Sequence, residues 1–240
     1  MNASADFRYA SDELDALAGA HNYYGWLMRR FRPYFGPRVV EVGAGIGTIG
    51  DHLRREPAIR DLTLIEPAEN NYPLLEQRFR ADAHVRTVKG YLEDQSLAGA
   101  DALVAVNVLE HVPDDRSFLR AARRTLRPGG HLLLFVPAVQ AIYGSLDEAF
   151  EHHRRYGRRQ LAGRLRDAGF RIEQLRYANS IGVVAWFVVG RVWRQRTLAP
   201  RSVRFYDRVV FPWLSAVEDR VPPLIGQSLL AICVAEGSES

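Results

Sequence analysis

The chain has 240 residues, 47% of them hydrophobic and 25% charged, with a formal net charge of +4 and a single cysteine. This is the composition of a soluble globular protein and excludes disordered and fibrous classes. Cys233 alone cannot form an intrachain disulfide and suits a reducing, cytoplasmic setting. The opening MNASADFRYASDEL lacks the basic start and apolar stretch of a secretory signal, and no run reaches the ~18 apolar residues that span a bilayer. Between Glu151 and Arg220 there are 15 arginines against 6 acids, a local +9 that leaves −5 elsewhere. Such a basic portion attracts nucleic acid, an anionic membrane face or an anionic substrate. Codon usage is an equal explanation, because Lys89 is the only lysine.

In chain order, strand-like and helix-like segments alternate. Arg38–Val42 is a β-branched run that ends at glycines, and Thr48–Arg55 then reads as a helix up to Pro57. Leu62–Ile65 is the next strand, closed by Glu66-Pro67. Asn70–Arg80 reads as a helix, His84–Lys89 and Asp101–Val106 as strands, and Asp114–Leu126 as a helix stopped by Arg127-Pro-Gly-Gly130. His131–Val136 is a buried strand ended by Pro137. A helix at Arg158–Ala168 and strands at Arg171–Tyr177 and Leu229–Ala235 follow. Strands separated by crossover helices predict a parallel sheet with helices on both faces. Residues 1–36 read as an N-terminal helical lid segment and 37–180 as a ligand-binding core with an insertion at 138–157. Residues 181–226 read as a cap over the acceptor site and 227–240 as a terminal strand and tail, all in one domain.

The chemistry concentrates at Glu41-Val-Gly43-Ala44-Gly45-Ile-Gly47. Glycines between a strand and a helix let backbone N–H groups approach a nucleotide-like ligand closely. A dinucleotide fingerprint that begins at the strand end would need glycine where Thr48 stands. The segment instead resembles the E-x-G-x-G-x-G loop of class I S-adenosylmethionine-dependent methyltransferases. Later segments match that family in order: Glu66-Pro67, Gly90-Tyr91-Leu92-Glu93, Asn107-Val108-Leu-Glu110-His111-Val and Leu126-Arg-Pro-Gly-Gly130. Ser145-Leu-Asp147, His152-His-Arg154-Arg155-Tyr156 and His21-Asn-Tyr23-Tyr24-Gly-Trp26 further resemble a subgroup of small bacterial methyltransferases, with Glu151 where the subgroup carries glycine.

The resemblance implies a Rossmann-like α/β fold with a seven-stranded sheet, helices on both faces and a small C-terminal cap. It implies S-adenosylmethionine as cofactor, held by Glu41, the glycine loop, Glu66 on the ribose hydroxyls, Pro67, Tyr91, Leu92, Glu93, Asn107 and Val108. Tyr23, Trp26, Tyr143, Arg154, Tyr156 and Trp186 are the expected acceptor-binding residues. For Tyr23, Tyr24 and Trp26, packing against the sheet is an equal reading. Glu110 and His111 belong to a segment that ubiquinone-type O-methyltransferases use for a divalent metal. With Asn107 in place of the first glutamate only two ligands remain, so no metal is expected.

A sulfonium methyl is already activated, so the enzyme must chiefly hold a nucleophile in line behind it. A hydroxyl acceptor needs a general base, and His152, ahead of His111, is the candidate because the insertion should cover the acceptor. The expected activity is methylation of a small-molecule acceptor, at O or N ahead of C, in secondary or cell-envelope metabolism. A nicotinamide-dependent oxidoreductase would leave residues 107–112 unexplained, and an RNA-modifying enzyme lacks a recognisable RNA-binding module. The apolar Ile181–Trp193 must be buried against the acceptor, in a homodimer or at a membrane surface, with the acceptor lid preferred.

Overall fold

In the computed structural model, residues 19–237 are described. The first described helix, α1 (His21–Phe31), leads into β1 (Arg38–Val42). There follow α2 (Thr48–Leu53), β2 (Asp61–Glu66), α3 (Tyr72–Phe79), β3 (Val85–Lys89), β4 (Ala100–Val106), α4 (Asp115–Thr125) and β5 (Leu126–Pro137). After β5 come α5 (Ser145–Ala149), α6 (Arg158–Asp167), β6 (Phe170–Ala178), α7 (Ser180–Phe187), α8 (Pro200–Phe205), α9 (Phe211–Arg220) and β7 (Ser228–Ala235).

The seven strands form one sheet in the order β3-β2-β1-β4-β5-β7-β6. β1 to β5 pair in parallel, whereas β7 runs antiparallel to both β5 and β6, so the sheet is mixed where the sequence predicted a parallel one. A continuous apolar run such as SLLAICVA is what a strand buried on both faces needs in either direction, and it carries no sign of its polarity. The extended conformation of β5 begins at Leu126, directly after α4, and includes the Arg-Pro-Gly-Gly segment read from sequence as a turn.

Each face of the sheet carries its own core. On one face Phe118, Leu119 and Ala122 of α4 pack with Leu161 and Leu165 of α6. On the other, Trp26, Leu27 and Phe31 of α1 meet Leu53, Leu75, Phe79 and, from α9, Phe211 and Leu214. β1 and β4 are neighbours although β2 and β3 lie between them in sequence, so the crossovers diverge there. That divergence opens a crevice at the carboxyl ends of β1 and β4, where sheets of this kind bind ligands.

Two excursions hang over that end. The first leaves after β5 and is closed by a bridge between Ala138 and Tyr156. The second leaves after Ala178 and returns at Gly226, where a Cβ would lie 2.3 Å from the Ala178 carbonyl oxygen. α1 is fastened to this second excursion. The Asn22 and Tyr23 N–H groups donate to the Asp207 carboxylate at 3.1 and 2.9 Å, and the Trp26 indole donates to Asp219 at 2.8 Å.

Candidate functional site

β1 turns into α2 through Gly43 and Gly47, whose φ angles are +69° and +88°. A Cβ on Gly43 would lie 2.6 Å from the Val108 side chain, and one on Gly47 would lie 2.5 Å from Phe79. Only glycine tolerates both the angle and the approach. Four of the loop's N–H groups are bonded inside the protein. Gly43 and Ala44 donate to the Ile65 carbonyl at 2.9 and 3.0 Å, Gly47 to that of Ala44 at 2.8 Å, and Gly45 to the Glu66 carboxylate at 2.7 Å. These four donors are therefore committed within the fold, which leaves the Ile46 N–H and the first turn of α2 as the loop's side toward the crevice.

The loop instead surrounds two carboxyl groups. Glu66 ends β2, buried, with one oxygen on Gly45 and the other on the Ala68 N–H at 3.0 Å. With Asn71 bonded as well, the carboxylate keeps about one lone pair for a further donor. Burial raises the Glu66 pKa, against the bonds from Ala68, Gly45 and Asn71. Glu41 is buried in β1; burial first and the Glu66 charge second hold its carboxyl well above the usual range. Its Oε2 has no hydrogen-bond partner among the described residues. No cationic side chain forms an ion pair with either group among those residues.

β3 ends beside this pair, with the Gly90 N–H on the Glu66 carbonyl at 3.1 Å. Tyr91 is exposed, and Pro67 and Glu93 are half-buried. Leu92 departs from expectation: its side chain lies in the core and turns no surface to a ligand.

Across the crevice, β4 ends at Asn107, whose φ of +53° suits asparagine and whose N–H bonds to the Phe135 carbonyl at 2.8 Å. Val108 fills the space left by Gly43. A 3₁₀ turn, Leu109–His111, then presents Glu110, fully buried, and His111. The first excursion brings His152 against them. His152 Nδ1 lies 2.9 Å from Asp147 Oδ1, and the His111 and His152 rings meet edge to face with centroids 4.9 Å apart.

Asp147 is the hub of the excursion. It also accepts from the Arg155 guanidinium at 2.7 Å, the Trp186 indole at 2.9 Å and the Gly144 N–H at 3.0 Å, while Arg155 stacks 4.7 Å over the Trp186 ring. Burial alone would raise the Asp147 pKa; the bond from His152, the Arg155 charge and the Trp186 bond outweigh it and pull the pKa down. His111 is driven the other way, to about 3, by burial first and the His152 charge second, opposed by a bond to the Glu151 backbone. One ligand atom each from Glu110, His111 and His152 lie within 4.8 Å of one another.

Several predicted acceptor contacts turn out to be packing or fastening. Trp26 is buried between α1 and α9 with Phe135 and Phe211 around it. Tyr23 packs on Phe135 and Phe211, and burial raises its phenol pKa despite a bond with Ser228. The Tyr156 hydroxyl bonds to the Leu109 carbonyl and to Asp115. Arg154 donates to the Pro113 carbonyl at 2.8 Å and pairs with Asp115 at 3.3 Å. These two tie the first excursion to α4. The Tyr143 hydroxyl steadies it by donating to the His152 carbonyl at 2.8 Å.

The residues absent from the sequence-based site are Asp147 and Arg155. Their signal was visible in the Ser-Leu-Asp and His-x-Arg-Arg-Tyr segments, but only the fold shows that both serve His152. Ile181–Trp193 is divided. Trp186 turns to Asp147, while Ile181, Val184, Phe187, Val192 and Trp193 are exposed on the chain itself, so its own packing does not bury the run.

Comparisons with known proteins agree with this fold. A family model described as a methyltransferase domain matches residues 3–175. Ubiquinone biosynthesis O-methyltransferases are among the relatives. That of Pectobacterium atrosepticum is 32% identical over 115 residues, covering 45% of this chain and 46% of the relative, and that of Xylella fastidiosa is 28% identical over 161 residues, covering 60% and 64%. The chain thus aligns with about half to two thirds of these relatives' length. The fold is shared with a Thermotoga maritima S-adenosylmethionine-dependent methyltransferase, TM-score 0.62 at 17% identity, covering 94% of this chain and 95% of that one. It is also shared with one from Mesorhizobium loti, TM-score 0.57 at 17% identity, covering 86% and 95%. S-adenosylmethionine is the cofactor these findings imply, and the chain belongs to the methyltransferase-domain family.

Proposed function

We propose that this protein transfers a methyl group from S-adenosylmethionine to a hydroxyl of a small-molecule acceptor, with His152 as the general base. The observation that carries the donor side is the pair of buried carboxyls, Glu41 and Glu66, beside the glycine loop. Two acids there favour a cationic ligand bearing hydroxyls over a pyrophosphate. S-adenosylmethionine supplies a methyl group on a sulfonium, together with an ammonium and a ribose diol. Glu66 would accept from the diol with its remaining lone pair, and Glu41 would share the positive field.

On the acceptor side, Asp147 fixes the His152 ring through Nδ1, and Nε2 would take the hydroxyl proton as oxygen attacks the methyl carbon. The lowered pKa of Asp147 keeps it an anion beside the imidazolium that forms. Arg155 and Trp186 keep that carboxylate in place, and Trp186 would border the acceptor. The O-methyltransferase relatives support oxygen over nitrogen. The reading suits a cytoplasmic enzyme, where the buried thiol of Cys233 stays reduced.

A second reading rests on the same cluster. Both histidines are oriented from behind, His152 by a carboxylate and His111 by the Glu151 backbone, as metal-ligating imidazoles are. With Glu110 they make a two-histidine, one-carboxylate set that fits a divalent transition ion. The test separates the two. As a base, His152→Ala lowers turnover about 10²–10⁴-fold with unchanged cofactor affinity and no metal in the purified wild type by elemental analysis. A stoichiometric metal lost in His152→Ala supports the second reading, and unchanged turnover at every pH overturns both.

A further inference from the structure

The helix from Pro200 to Arg220 shows its surroundings an unusual face. α8 and α9 are continuous through a π turn, Tyr206–Val210, in which the Phe211 N–H bonds to the Tyr206 carbonyl. Pro212 explains the widening, because it has no N–H for the Arg208 carbonyl one turn back. Phe205, Val209, Trp213, Val217 and Val221 stand at every fourth position and all are exposed, Trp213 at 79% and Phe205 at 63%. Arg201, Arg204, Arg208 and Arg220 are exposed on the same helix.

The helix's acids do not balance these arginines. Asp207 is buried on the N–H groups of Asn22 and Tyr23, and Glu218 on those of Asn179 and Ser180. Asp219 is paired with Arg30. The outward surface is therefore apolar and cationic together.

We propose that this helix docks the protein on an anionic lipid bilayer, lying in the plane of the interface. Phe205, Val209, Trp213 and Val217 would enter the boundary between headgroups and acyl chains, and the arginines would reach lipid phosphates with their stems along the same surface. Its 21 residues make a rod of about 30 Å, long enough to lie flat. No helix among the described residues is long and apolar enough to cross a membrane. A second copy is a poorer occupant, since a two-fold contact would bring the arginine rows together. RNA is poorer too, because Val209, Val217 and Val221 provide no ring on which a base could stack.

The test is cosedimentation of the full chain with vesicles of phosphatidylcholine alone or with phosphatidylglycerol added. The chain should follow the anionic vesicles, weakly follow the neutral ones, and dissociate as salt rises. Replacing Arg204 and Arg208 by glutamine should weaken anionic binding about thirtyfold, from about 1 kcal/mol per cation. Trp213→Ser should weaken it about tenfold. Both changes sit on exposed positions, and circular dichroism verifies folding. Failure to bind anionic vesicles, or binding that both changes leave intact, overturns the proposal. So does a lipid-free dimer that Trp213→Ser dissociates, or binding to single-stranded RNA in place of vesicles.

Discussion

Two buried acidic centres face each other across the crevice, and the protein treats them in opposite ways. At the glycine loop, Glu41 and Glu66 lie together with no paired cation among the described residues, and burial holds both carboxyls toward their protonated forms. In the excursion after β5, Asp147 is equally buried, yet His152, Arg155 and Trp186 converge on it and hold it ionised. The difference is in what each lacks. The first centre would be completed by the positive ligand proposed for it, whereas the second is balanced by its own Arg155.

The comparison is most severely tested at Asp147. Asp147→Ala leaves the Arg155 guanidinium, itself fully buried, without its carboxylate, and loss of one member of a buried pair costs about 3–5 kcal/mol. Urea unfolding should show this as a lower midpoint at unchanged slope; stability within 1 kcal/mol of wild type would mean, by the same reasoning, that the network is not what holds the excursion.

Glu66→Ala should weaken S-adenosylmethionine binding by about 1.5–3 kcal/mol, roughly 10- to 150-fold, measured by calorimetric titration. Because Gly45 also loses its acceptor, the glycine loop should exchange its amide hydrogens faster in this variant. Unchanged affinity in a folded variant removes Glu66 from the ribose.

Glu41 sharpens the comparison through pH. A carboxyl whose folded pKa is raised gives stability that is complete below its unfolded value, near 4.5, and lost as pH rises toward the folded value. The loss is at most about 1.4 kcal/mol per pH unit in that window. Glu41→Gln should therefore gain on wild type steadily from pH 4 upward, and S-adenosylmethionine should narrow the gap by favouring the ionised wild-type side chain. Parallel stability curves for the two proteins would show that Glu41 ionises freely.

The smallest effect is at Glu151, which adopts a φ of +58°. A side chain in the left-handed region costs roughly 1–2 kcal/mol, so Glu151→Gly should raise stability by about 1 kcal/mol in thermal unfolding. A destabilised Glu151→Gly would indicate that the side chain contributes more than its backbone strain removes.

The sequence marked the glycine loop, Glu66 and the β4 end because strand-to-helix turns demand glycine and because polar residues at strand ends stand out against apolar runs. The direction of β7 was illegible, since strands buried on both faces read alike in either sense. Trp26 and Tyr23 stay open between core and pocket in the sequence for a related reason: aromatics at helical spacing face either with the same pattern. The union of Asp147, His152 and Arg155 needed the fold. Their spacing matches no helix face, and the bridge between Ala138 and Tyr156 that gathers them is a property of the sheet end.

The fastening of α1 to the second excursion bears on biosynthesis. Asp207 and Asp219 accept bonds from residues 184 to 193 positions earlier, so α1 leaves the ribosome long before its partners exist. Domains otherwise tend to form from their N-terminal parts first during synthesis, and distant contacts are slow to close. α1 should therefore be a late-docking piece of this enzyme, waiting on residues up to 219. Nascent chains in which residue 207 has not yet left the ribosome should leave α1 open to protease, and those whose residue 219 has emerged, on a C-terminal linker that clears the exit, should protect it.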